Sequence, residues 1–238
     1  MYPPTDDPST APLRRGEAAS RHDQGRAAEL RLHEAGDEQG APVVLLHRRG
    51  VTAEVWVPTL ALGSWTVRLL APDLSELPGL PGLPGLPDGA DAAYVVDSLR
   101  RTERRALLLV AEGDAASLAV DMALARPEAV AGLVLLAPAE DTAHALVEPL
   151  RRVTVPVWAA TGERSDPGAA SSSVEVPGAR WLSLPGVADE LVTEHPDLVI
   201  DLVHGAVAEL AASPRPQDGR RYITWVSSEA CVKPSLSR

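Results

Sequence analysis

Residues Ala106 to Ala111 form an unbroken apolar run that ends in Glu112, Gly113 and Asp114 and leads into the Ala- and Leu-rich segment Leu118 to Arg126. A strand with one wet face alternates apolar and polar residues. A run that is apolar throughout belongs instead to a strand covered on both faces, as in a parallel sheet. Parallel neighbours cannot be joined by a hairpin and need a crossover, usually a helix. This strand, turn and helix therefore constrain the fold more than any other stretch. Further apolar runs at Pro42–His47, Thr66–Leu70, Val130–Ala137, Val155–Ala160 and Trp181–Leu184 alternate with segments of helical spacing. The expected architecture is α/β: a mostly parallel sheet flanked by helices, with right-handed crossovers.

The helical segments are Thr52–Leu62 with Thr52 as its cap, Asp91–Arg101 with Tyr94, Val95 and Leu99 inward, and Pro196–Ala212 with Leu198, Leu202, Val203, Val207 and Leu210 on one side. Ala28–His33 alternates as a half-buried strand would, and Ala35–Gly40 makes a turn. Only Pro138–Thr154 is available between two of the apolar runs, so any lid is a single short helix, Ala143–Arg151. Residues 1–27 lack apolar periodicity and are expected to be a mobile arm, with residues 28–212 the α/β domain and 213–238 a C-terminal extension. Within the extension, Tyr222–Val226 reads as an added edge strand, an interface element or part of a loose tail. The Gly-Leu-Pro triplets between Leu77 and Gly89 are too few for a collagen triple helix and read as a surface loop.

Composition narrows the partners. At 238 residues and 45% hydrophobic, the chain can fill one α/β core. A formal net charge of -11 argues against nucleic acid and against an anionic membrane surface, since both call for Lys and Arg. The longest apolar run, Ala129–Ala139, is far too short to span a bilayer. Met1–Asp7 has neither the basic start nor the apolar stretch of a secretory signal, so a cytoplasmic location is expected. Cys231 is the sole cysteine, and no phosphate loop, dinucleotide fingerprint or metal-ligand spacing is visible, so no cofactor or metal is implied. The expected partner is a small-molecule substrate or ligand, with a homo-oligomer left open.

Several short segments occur in the order in which one family carries them. They are Leu32–Asp37, Val44–His47, Leu70–Leu74, the central strand and turn, Ala125–Pro138, Val155–Val157 with Gly162-Glu163, Leu184–Gly186, and Glu194–Pro196. Over Ala28–Ala212 the chain resembles the α/β-hydrolase superfamily, as a divergent member. The resemblance implies a nucleophile at the tip of the strand–helix turn, a histidine base after the last strand and an acid that orients it. At those places stand Gly113, Asp189 in the run Gly186–Asp189, and Asp166 or the competing Ser165. Asp166 can equally cap a turn. Relatives follow the oxyanion strand with His-Gly, whereas this chain reads His47-Arg48-Arg49-Gly50. A shift of one residue would put Asp114 at the tip, as in hydrolases with an aspartate nucleophile, but would place Glu112 where the crowded turn wants a small residue.

Ligands of open α/β sheets bind beyond the carboxyl ends of the strands, which gathers His47, Arg48, Arg49, Glu112, Gly113, Asp114, Asp166 and Asp189 on one rim. Arg48 and Arg49 could grip a carboxylate or phosphate, or lie in solvent. His144 could swing over the rim or face solvent, and His195 reads as a surface or capping histidine. With the triad missing, ordinary ester or amide hydrolysis is disfavoured. The leading expectation is a cofactor-independent, non-hydrolytic enzyme of small-molecule metabolism, such as a cyclase, isomerase or lyase. Asp114, Asp189, Glu112 or Asp166 would be its acid–base carboxylates, and His47, Arg48, Arg49, Gly113 and His144 would line the substrate site. The alternatives are a catalytically inactive binding or partner protein, an aspartate-nucleophile hydrolase and a degraded gene product.

Overall fold

The computed structural model describes residues 30–63, 66–76, 90–138, 140–162, 179–184 and 190–212. The apolar runs become the strands β1 (Leu32–Gly36), β2 (Ala41–Leu46), β3 (Val67–Pro72), β4 (Leu107–Glu112), β5 (Val130–Leu136), β6 (Val157–Gly162) and β7 (Ala179–Leu184). They form one sheet of order β1-β3-β2-β4-β5-β6-β7. Only β1 is antiparallel to its neighbour, pairing Leu32 with Pro72 and Gly36 with Arg68. This pairing carries β1 through Ala35 and Gly36, beyond the expected end at His33, and leaves the turn to Asp37–Gly40, closed by the Gly40 N–H donating to the Asp37 carbonyl.

The α-helices are α1 (Val57–Ala61), α2 (Ala90–Thr102), α3 (Ala115–Ala125), α4 (Glu140–Arg152), α5 (Leu191–Glu194) and α6 (Pro196–Ala212). The expected helix from Thr52 is a 3-10 turn, Ala53–Trp56, followed by α1, and the Thr52 side chain makes no capping bond. Pro58 near the start of α1 is compatible with a fresh first turn, where its missing N–H costs nothing. α3 starts at Ala115, three residues earlier than expected, because the tight turn is only two residues long.

Period-two alternation sends neighbouring strand residues into two cores. Val44, Leu46, Leu107, Leu109 and Ala111 pack in one with α2, α3 and α4. Val43, Leu45, Leu108 and Val110 pack in the other with Trp56, α5 and α6. Helix α4 buries Ala143, Leu146 and Leu150 in the core that holds α3, so it is the crossover helix between β5 and β6. The apolar stripe of α4 draws it onto the sheet, so the one short helix expected in this segment serves as a crossover and not as a lid.

A charged cluster ties the opposite ends of the strands together. The buried Glu103 carboxylate accepts from the Arg105 backbone N–H at 2.8 Å, Nε at 2.9 Å and Nη2 at 2.7 Å, and Arg68 Nη1 reaches it at 3.4 Å. Arg105 also donates to the carbonyls of Gln39 and Glu38, and Arg68 to Glu34. The hydrogen bonds from Arg105 lower the Glu103 carboxyl to about 2, against the opposing effect of burial.

Candidate active site

Strand order reverses between β2 and β4, since β3 lies outside β2 while β5, β6 and β7 follow β4 on the other side. A crevice at such a switch point is where open α/β sheets bind ligands. The segments leaving these two strands are His47–Gly50 and Gly113–Asp114.

The sharp turn between β4 and α3 has one residue with positive φ, Gly113 at 58°. Its N–H donates to the Leu136 carbonyl at 2.9 Å, which locks the tip against β5. Asp114 has ordinary right-handed helical angles, φ -74° and ψ -15°, and is the N-cap of α3. The tip of the turn is therefore glycine. A Cβ there would lie 3.5 Å from Arg48 Cβ, so the loop after β2 closes over it.

The two segments are joined by charge. The Arg49 backbone N–H donates to Asp114 Oδ1 at 2.9 Å, and Arg49 Nε lies 3.1 Å from Oδ2. Arg48 meets Glu112 through Nε, 3.8 Å from Oε1. The Arg49 amide is thus taken by the chain's own Asp114 carboxylate. Glu112 continues the row of Leu108 and Val110 and so lies on the α5 and α6 side of the sheet. It is 4% exposed, and its Oε2 is buried without a hydrogen-bond partner among the described residues. Burial pushes its carboxyl above the usual range. The Arg48 charge and N–H pull it down, and Asp114 and Glu190 push it up again.

His47 is 4% exposed and is held by the protein at both ring nitrogens. Its Nε2 accepts the Leu74 N–H at 3.0 Å, so the ring proton is on Nδ1, 3.0 Å from the Arg48 carbonyl. This ring staples the ends of β2 and β3 together, where the sequence reading placed a ligand contact. Asp73 stands 3.7 Å from it. Burial raises the Asp73 carboxyl, but the bonds from the Ser75 hydroxyl and N–H bring it below its ordinary value.

His144 is exposed on α4. Asp166 and Asp189 lie outside the described residues, as do the arm, the triplet repeat and the C-terminal extension. The sequence reading missed Glu190, the N-cap of α5, which is near enough to Glu112 to shift it. Its signal was slight: an acidic residue before the isolated apolar pair Leu191-Val192, both buried. It also missed Ala137, at the end of β5, which holds φ 41° immediately before Pro138. Backbone strain of this kind tends to sit at functional rims. Among the described residues no helix is long and apolar enough to cross a membrane, and no group of three His, Cys, Asp or Glu side chains could hold a metal ion.

No protein-family model and no curated protein matches the chain. Solved structures do match. A carboxylesterase from Bacillus subtilis is 17% identical, with a TM-score of 0.59 over 75% of this chain and 87% of that one. A haloalkane dehalogenase loop variant from Bradyrhizobium elkanii is 16% identical, with a TM-score of 0.56 over 77% and 98%. An E-2-(acetamidomethylene)succinate hydrolase is 17% identical, with a TM-score of 0.61 over 75% and 95%. At such identities likeness carries architecture alone, and the architecture of this chain is the α/β-hydrolase fold.

Proposed function

We propose that the chain is an enzyme of small-molecule metabolism that uses the α/β-hydrolase pocket without hydrolysis, moving protons within a substrate as in an isomerisation or cyclisation. The observation that carries this reading is Gly113 at the positive-φ tip of the turn, where a nucleophile would stand. It is supported by the Arg49 amide, which donates to Asp114 and so is not poised for an oxyanion. Glu112 is the proton carrier in this reading. Its burial and unpartnered Oε2 favour a carboxyl that exchanges protons nearer neutrality than an exposed one. A proton taken from one substrate atom is returned at another, so no water or co-reactant is consumed. Asp114, committed to Arg49, positions the loop; Asp189 and Asp166 are further candidate carboxylates.

The test is conversion of a metabolite extract by the wild-type chain and by Glu112→Gln, Asp114→Ala and Asp189→Ala, with both mass and retention time followed. A compound converted by wild type and not by folded Glu112→Gln is the expected result. Conversion that survives in Glu112→Gln removes Glu112 as the proton carrier. A compound retained but never converted favours the second reading, a binding protein, for which the filled Arg49 amide also speaks.

A further inference from the structure

The rim holds four charges in two pairs, and the pairs are unlike. Arg49 gives Asp114 a backbone hydrogen bond at 2.9 Å and a guanidinium ion-pair contact at 3.1 Å. The Arg48 guanidinium comes no nearer to Glu112 than 3.8 Å, its side chain is 46% exposed, and Glu112 keeps a buried oxygen with no partner among the described residues. A buried acceptor left unpaired is costly, and an exposed guanidinium fork suits a carboxylate.

Suppose that a ligand carboxylate arrives at Arg48. As the fork turns to it, Glu112 loses its countercharge while Asp114 and Glu190 still face it. A buried carboxylate stripped in this way must gain a proton or a cation. A ligand with a positive donor beside its carboxylate meets both demands at once. We infer that the site takes a small zwitterion, an amino-carboxylate whose carboxylate binds Arg48 and whose ammonium donates to Glu112. One loose ion pair within the protein is exchanged for two with the ligand. This names the substrate class for the function proposed above and rests on the same Glu112, but it concerns binding rather than turnover.

The test is titration calorimetry on the full chain with glycine, β-alanine and γ-aminobutyrate, beside acetate, propionate and butyrate and the matching alkylamines. At least one zwitterion is expected to bind saturably, about tenfold or more tightly than its carboxylate and amine counterparts. It should bind without net proton uptake, read as a heat that does not change with the ionisation enthalpy of the buffer. Arg48→Met, at an exposed position, and Glu112→Gln, an isosteric change, should each weaken binding about tenfold while circular dichroism and Tm report a folded chain. The inference is overturned if a simple carboxylate binds as tightly, if no zwitterion binds, or if either substitution leaves affinity unchanged. Zwitterion binding with turnover intact in Glu112→Gln would keep this inference and remove the proton-exchange reading. Glu112-dependent conversion of an uncharged metabolite would do the reverse.

Discussion

Arg49 holds Asp114, sixty-five positions away in the chain, by its backbone N–H, 2.9 Å from Oδ1, and by its guanidinium charge, with Nε 3.1 Å from Oδ2. The bond fastens the loop after β2 to the first turn of α3 across the switch point of the sheet. Because the Arg49 side chain is 47% exposed and that of Asp114 30%, water screens the guanidinium contact. The backbone bond is the more valuable of the two. Asp114→Ala should lower stability by about 1 kcal/mol, and Arg49→Ala, which keeps the backbone N–H, by less than half of that. Urea unfolding at neutral pH checks the order; equal losses would place the energy in the ion pair.

Glu103 makes stability depend on pH at the other end of the sheet. Its folded carboxyl is lowered to about 2 from an ordinary value of 4.5, chiefly by its hydrogen bonds from Arg105. A carboxyl depressed by folding adds stability that is complete above its unfolded value and is lost as pH falls toward the folded one. The contribution should therefore fade between pH 4.5 and about 2. Glu103→Gln should cost about 2 kcal/mol at neutral pH, because Arg105 and Arg68 lose their buried acceptor. The gap between variant and wild type should narrow over that acid range, as measured by unfolding at a series of pH values.

The strands and the tip of the turn were legible because burial on both faces leaves an unbroken apolar run and a sharp turn demands small residues, as at Ala106–Ala111 and Gly113. The Arg49–Asp114 and Arg48–Glu112 pairs were not. Sequence put all four residues on one rim, but which carboxylate meets which arginine depends on the register of β2 against β4, Leu46 beside Ala111. The role of His47 was misread for a similar reason: its partners are backbone groups of Leu74 and Arg48, which carry no residue-type signal. Glu103 escaped notice because a buried acid between exposed arginines looks, in a list of letters, like any solvated charge run.

Three glycines separate steric need from helix propensity. A Cβ on Gly40 would lie 2.6 Å from the Val67 carbonyl carbon, and that backbone is held in the sheet. On Gly132 it would lie 2.9 Å from Trp158 Cζ3, and a ring can shift. On Gly205, exposed in α6, it would meet nothing within 4 Å. Gly40→Ala should cost about 3 kcal/mol and Gly132→Ala about 1–2 kcal/mol, while Gly205→Ala should stabilise by about 0.5–1 kcal/mol. Thermal unfolding of the three variants ranks them, and a stable Gly40→Ala would contradict the packing of β2 on β3.

Gly113→Ser places a hydroxyl at the tip and tests whether a nucleophile there is enough for hydrolysis. Gly113 holds φ 58°, so serine pays for the left-handed conformation, about 1–2 kcal/mol. Space is not the obstacle, because the nearest atom to its Cβ would be Arg48 Cβ at 3.5 Å. The new hydroxyl would still face a loop whose Arg49 amide donates to Asp114. It would also lack an imidazole from His47, whose ring nitrogens stay bound to Leu74 and Arg48. Without a free imidazole base among the described residues and with the Arg49 amide filled, such a serine is a plain alcohol. The variant should fold and hydrolyse p-nitrophenyl acetate no faster than wild type. A burst of p-nitrophenol followed by steady turnover would show that the Arg49 amide releases Asp114 when a tetrahedral oxyanion competes for it, and the filled amide would then be no barrier to hydrolysis.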